Sequence, residues 1–187
     1  MCALGAGAAM LAIRIALMRV RTGVNPVKIA HPSEVGFVLG EVAMVLLLLR
    51  SARWIVVPLP GWFDSLVIDS EYARVGGAVL VCAGLLIFGI ALISFGDSWR
   101  IGIDRKTPAA LVTGGIFAIS RNPIFVFLDF YLAGTFLING TLIFLISAVL
   151  GILFLHFQIL REERFLMEHY GDLYPKYCAR TPRYFMR

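Results

Sequence analysis

From Asn122 to Leu160 the chain carries one formal charge, Asp129. A membrane-spanning helix needs roughly 20 apolar residues, so this run has the length for two crossings. Near its middle, Asn139-Gly140 is a tight-turn pair. The run is therefore read as two apolar helices, from about Asn122 to Ile138 and from about Thr141 to His169, joined as a hairpin. A hairpin returns both ends to one bilayer face, and both ends are polar. One end holds Leu111-Val112-Thr113-Gly114-Gly115-Ile116-Phe117 and Ser120-Arg121-Asn122-Pro123-Ile124-Phe125. The other holds Arg161-Glu162-Glu163-Arg164-Phe165-Leu166, Tyr170-Gly171, Tyr174, Tyr177 and Arg180-Thr181-Pro182-Arg183.

The rest of the chain is equally apolar. Of 187 residues, 59% are hydrophobic and 16% charged, where a soluble domain is nearer half and a quarter. Three further runs read as spanning helices: residues 1–20, Glu34–Val57 and Glu71–Phe95. The first competes with a cleaved signal peptide, but its basic residues Arg14, Arg19 and Arg21 fall late rather than early. Arg14 can snorkel to the interface, and Glu41 inside the second run must face protein, water or a partner. Trp54, Trp62 and Phe63 suit an interface belt. Gly76, Gly77, Ala78, Ala83, Gly84 and Gly89 permit close helix packing in the third run. The expected fold is an all-α integral membrane protein of about five transmembrane helices in one domain. Residues 1–95 are scaffold and 96–187 carry the polar, functional part.

Positive charge supports that count. Arg19, Arg21 and Lys28 follow the first helix. Arg100, Arg105, Lys106 and Arg121 follow the third. Arg161, Arg164, Lys176, Arg180, Arg183 and Arg187 follow the fifth. With five helices these regions share one side, which the positive-inside rule makes cytoplasmic, together with the C-terminus. The net charge of +5 is thus topological, and no basic stripe interleaved with aromatics points to nucleic acid. Cys2, Cys82 and Cys178 are far apart with no CxxC, which argues against a disulfide framework or a zinc site.

The two polar clusters offer complementary chemistry. Gly114-Gly115 lets backbone amides approach a ligand. Arg121 is a cation suited to a carboxylate, and Glu162-Glu163 are anions suited to an ammonium group. Asn122, Phe125 and Asp129 share one helix face by spacing, as do Gln158 and Glu162. The set suits a zwitterionic ligand bearing an aromatic group.

In order and spacing, these motifs resemble the isoprenylcysteine carboxyl methyltransferase family, in its bacterial form, and the related phospholipid methyltransferases. The resemblance covers about residues 96–185. It implies a membrane methyltransferase using S-adenosylmethionine in a cytoplasmic pocket of a multi-pass protein of a prokaryotic inner membrane. It places Ala110, Leu111, Val112, Gly115, Phe117, Asn122, Pro123, Phe125 and Glu162 at the cofactor, with Glu162 on its ammonium. Gln158 and Asp129 fall on the substrate side, and Arg121, Asn122 and Glu163 at the reacting centre. Three positions depart from the family pattern: Asn122 stands for a His, Phe117 and Phe125 stand for Tyr, and Gln158 stands for an Arg.

The implied acceptor is a lipophilic, prenylcysteine-like molecule methylated on its carboxylate, arriving from the membrane lipid. A carboxylate is already a nucleophile, so orientation supplies the catalysis. A phospholipid amine or small thiol is the alternative. An amine needs deprotonation, for which Asp129 and Glu163 are at hand. A membrane reductase using a nicotinamide phosphate is a more distant alternative, since Glu162-Glu163 stand where that cofactor wants cations. His31, His156 and His169 lie outside the motif, and His156 reads as a satisfied buried residue.

Overall fold

The computed structural model describes residues 9–10, 12–13, 16, 20, 42–47, 49–50, 58–95 and 111–185. Expectations for Arg14, Glu41, Trp54, the connection at 22–33 and the loop at 96–110, including Ala110, lie outside those residues. Four α-helices have full bounds: α1 (Glu71–Ser94), α2 (Pro123–Asn139), α3 (Leu142–Tyr170) and α4 (Leu173–Arg180). Two 3-10 turns accompany them, Gly61–Asp64 and Gly115–Ala118.

Each long helix is apolar nearly all round. Buried positions on α1 are Gly77, Val81, Gly84, Phe88, Ala91 and Leu92, the three-and-four spacing of a single helix face. Its opposite face exposes Val75, Val79, Leu86, Ile90 and Ile93, and α3 exposes Val149, Leu150, Leu153 and Phe157. A soluble protein rarely leaves such patches bare. By length and composition α1 and α3 can each cross a membrane, while α2 is an apolar helix of 17 residues. At 1.5 Å per residue, the 29 residues of α3 reach about 44 Å. That exceeds the roughly 30 Å of hydrocarbon in a bilayer. The sequence expectation that this helix overshoots agrees with its observed end at Tyr170.

Backbone contact locks α1 to α2. A Cβ added at Gly77 would lie 2.6 Å from the Gly134 carbonyl oxygen, and one at Gly134 would lie 2.6 Å from the Gly77 oxygen. Gly84 meets Phe127 and Phe130 in the same way. Around this crossing Phe88 stacks on Phe127 at 4.7 Å, within a core that includes Val81, Leu92, Tyr131, Phe144 and Leu155.

The link between α2 and α3 is two residues, Gly140 and Thr141. Gly140 adopts φ 69°, the left-handed C-cap that glycine takes without strain. Its carbonyl accepts the amides of Val67 and Ile68 at 2.8 and 3.1 Å, while the Leu142 amide donates to Ser65. The preceding 3-10 turn is fastened by Asp64, which receives both terminal nitrogens of Arg50 at 2.6 Å. That hydrogen-bonded pair holds the Asp64 carboxyl below its ordinary range. These links gather at one end of α2; the polar residues of interest lie at the other.

Replacing Gly134 with Ala should force the backbones apart and cost about 1–3 kcal/mol, as overpacking does. Gly76, with open space at its Cβ, should accept Ala without loss. Thermal unfolding of both variants in detergent checks this: a lower melting temperature is expected for Gly134→Ala alone.

Candidate functional site

Asn122 ends a loop and Pro123 begins α2, because a proline at the first helical position sacrifices no hydrogen bond. Upstream, the 3-10 turn Gly115–Ala118 rests on the end of α1. Gly115 takes φ 60°, and a Cβ there would strike Ser94 Oγ. That hydroxyl instead accepts the Ile116 amide at 3.3 Å. Ile116 and Phe117 turn inward with Ala91, and Phe117 meets Phe95 edge-on at 4.4 Å. Gly114 remains exposed, with open space where a Cβ would stand. The loop thus presents Gly114 outward and roots itself through its apolar residues.

The chain's last described stretch clasps this loop. The Tyr177 hydroxyl donates to the Phe117 carbonyl at 2.6 Å, and Thr181 Oγ1 donates to the Ala118 carbonyl at 3.4 Å. The Arg121 amide donates to the Pro182 carbonyl at 3.0 Å. The Arg183 carbonyl receives both Ser120 Oγ and Asn122 Nδ2, each at 3.2 Å. Helix α4 makes this possible by burying Tyr174 and Tyr177 on one face, three residues apart as neighbours on a helix surface are. Burial, foremost, pushes the Tyr177 phenol up to about 12, with Arg121 opposing and Cys178 adding to the shift.

Under the clasp lies an ion triad. Glu163, on α3, is 3% exposed. Arg183 holds it as a fork: Nη2 to Oε2 at 2.7 Å, and Nε to both oxygens at 3.1 Å. Arg121 Nη2 reaches Oε1 at 3.2 Å, and Arg121 Nη1 also contacts Cys178 Sγ. Both carboxylate oxygens are engaged, so the geometry makes Glu163 a structural hub. Arg121 Nε is buried without a hydrogen-bond partner.

One helical turn away, Gln158 Nε2 donates to Glu162 Oε1 at 3.2 Å. Gln158 is buried, and its Oε1 has no hydrogen-bond partner. Glu162 is half-buried. The same i, i+4 spacing read from the sequence therefore creates a carboxylate beside an unfilled acceptor.

The structure sorts the residues singled out from the sequence. Arg121, Asn122 and Glu163 come together through the triad and the Arg183 carbonyl. Gln158 pairs with Glu162. Leu111 and Val112 are half-buried, and Val112 packs against the Ile116–Phe117 cluster. Phe117 and Pro123 are buried by protein and shape the loop from behind, while Phe125 packs at the margin of the main core. Asp129 is half-buried with Oδ1 unpartnered. Two residues were missed as contributors. Arg183 is the main partner of Glu163, and Tyr177 fastens the loop; both stood in the second polar cluster, but its spacing assigned them no partner. Reading His156 as a satisfied residue agrees with its 2.9 Å hydrogen bond to the Tyr184 hydroxyl.

Fold and site together define a helical protein with apolar, membrane-type helices and one polar assembly at the end where α2 begins and α3 finishes. A sequence profile described as phospholipid methyltransferase matches residues 72–173, more than half of the chain, and the chain belongs to that family. It is also 30% identical over 106 residues to the protein-S-isoprenylcysteine O-methyltransferase of Schizosaccharomyces pombe. That match covers 54% of this chain and 44% of the relative, so the chain spans less than half the length of the curated relative it matches. The resemblance read from the motifs is thereby borne out.

Two outcomes are expected of the clasp. Glu163→Gln leaves Arg121 buried without its counter-charge and should cost roughly 3 kcal/mol of unfolding free energy, measurable by denaturant titration. Tyr177 holds its proton more tightly folded than unfolded. Its contribution is therefore full below pH 10, the ordinary phenol value, and is lost as pH rises from about 10 to 12. An alkaline stability series should show this loss, and Tyr177→Phe should flatten it.

Proposed function

We propose that the protein is an integral membrane methyltransferase that takes its methyl group from S-adenosylmethionine and transfers it to a lipophilic acceptor. The observation that carries the reading is the joining of the Gly114-Gly115 loop, the end of α3 and the tail into one polar assembly beside the Gln158–Glu162 pair. Family membership supplies the reaction class.

The residues present fit that donor. Its ammonium group carries hydrogens and a positive charge. Gln158 Oε1 is a buried acceptor with no partner, and the Glu162 carboxylate stands next to it. Glu162 and Gln158 would hold the amino-acid end, and Gly114, Leu111 and Val112 would line the approach. Bound there, the donor supplies an activated methyl group on a sulfonium. The chain's own contribution is orientation, which alone can be worth several orders of magnitude in rate. The triad serves this by fixing the loop against α3, so that binding need not order it.

Topology follows the charge count: a multi-pass protein of a prokaryotic inner membrane, with the C-terminus and the polar assembly on the cytoplasmic face. The donor enters from the cytosol and the acceptor from the bilayer. The Schizosaccharomyces pombe relative, by its name, acts on an isoprenylcysteine in a protein, and a prenylcysteine-like carboxylate is one acceptor for this chain. A second reading is favoured by a specific observation. Arg121, the cation suited to an acceptor carboxylate, is committed to Glu163. That supports an acceptor without a carboxylate, such as a lipid amine.

Calorimetric titration of the purified protein with S-adenosylmethionine, or with its demethylated product, tests the reading. Binding is expected, and Glu162→Gln should abolish it while the protein retains its helical circular dichroism. Undiminished affinity in that variant would refute the ammonium role of Glu162.

A further inference from the structure

Helix α3 carries two arginines that the donor site does not use. Arg161 and Arg164 are exposed on its surface, and among the described residues neither has an ion-pair partner. They stand three residues apart, as neighbours on a helix face do. At the helical repeat, that face is the one that shows Leu150, Leu153 and Phe157, all exposed. The face turned to the protein holds Leu155, Gln158, Ile159 and Glu163. The arginine pair therefore lies across the helix from Gln158 and Glu163, and it continues the apolar stripe that meets the bilayer.

Depth singles the pair out. Leu142 opens α3 immediately after the hairpin turn. At 1.5 Å per residue, Arg161 lies about 28 Å along the helix and Arg164 about 33 Å. The hydrocarbon of a bilayer is roughly 30 Å thick, and the headgroups add a layer of several Å on each side. Phe157 thus ends among the acyl chains, while both guanidinium groups stand at the level of the lipid phosphates. Each guanidinium presents a planar fork of N–H donors that matches phosphate oxygens. The next charged residue on the stripe is Glu168. It lies about 39 Å along the helix, beyond the phosphates.

We propose that Arg161 and Arg164 form a binding site for an anionic phospholipid, with its phosphate between the two guanidinium groups and its acyl chains along Leu153 and Phe157. A zwitterionic lipid carries an ammonium group that offsets its phosphate, so two cations favour a headgroup that has none. The bound lipid is a ligand and not a methyl acceptor, since it sits across the helix from Gln158. Its grip fixes the depth of α3 in the bilayer, and with it the level at which Gln158 and Glu162 stand. This site requires α3 to cross a membrane and requires no methyl transfer.

Native mass spectrometry of the full chain in detergent provides the test. The protein is equilibrated with phosphatidylglycerol and phosphatidylcholine of identical acyl chains at equal concentration, and the retained lipids are counted. Each arginine near a lipid surface is worth about fivefold, so the unaltered protein should retain phosphatidylglycerol at least about tenfold over phosphatidylcholine. Arg161→Gln and Arg164→Gln should each cut that ratio about fivefold, and the double variant should bring it close to parity. Lys176 is an exposed cation on α4 outside the stripe, and Lys176→Gln should leave the ratio unchanged. Helical circular dichroism reports that each variant is folded. Equal retention of the two lipids, a ratio that survives the double variant, or an equal loss in Lys176→Gln overturns the proposal. Should the double variant fail to fold, the two single variants and Lys176→Gln decide it.

Discussion

The buried carboxylate of Glu163, shared between Arg121 and Arg183, is the interaction on which the polar end of the molecule depends. It ties the loop just before α2, the last turns of α3 and the tail into one unit. A buried ion pair is not by itself a large source of stability, because desolvation offsets much of the attraction. Its value lies in geometry. The guanidinium fork of Arg183 accepts few orientations, so the backbone that carries it is placed as well. Its carbonyl is thereby set to receive Ser120 and Asn122, and the next residue, Tyr184, is set against His156.

The same logic explains how so short a loop is held in place. Residues 111–122 have few side chains able to make a core of their own. They borrow one from the end of α1 through Ile116 and Phe117, and they are capped from outside by Tyr177 and Thr181. Gly114 is left facing outward, which is what close backbone approach to a ligand asks of it. The opposite end of α2 is built on a different principle, a left-handed glycine and backbone hydrogen bonds, and carries no comparable group of buried polar side chains among the described residues.

Much of this was legible in the sequence. Asn122-Pro123 and Asn139-Gly140 marked both ends of α2 within a residue, because each pair has a local conformational reason to stop or start a helix. Glu71 was correctly read as the start of α1, and the overshoot of α3 followed from its length. The stripe of small residues was seen, but which glycines touch another backbone was not: Gly77 and Gly84 do, whereas adjacent Gly76 faces open space. The tail was the chief omission. Its contacts join residues from 20 to 63 positions apart, and no periodicity encodes such a pairing. The motif did place Arg183 in the second cluster, yet a spacing rule cannot say that Arg183 will hold Glu163 and so commit Arg121 with it.

If the triad is what makes loop, α3 and tail act as one donor site, its members must be coupled in their effect on the donor. A double-mutant cycle in Glu163→Ala and Arg183→Ala, read as affinity for S-adenosylmethionine, measures this directly. Each single variant should weaken binding, and the double variant should bind about as well as the weaker single. Losses that simply add, or affinities unchanged in both single variants, would contradict the account.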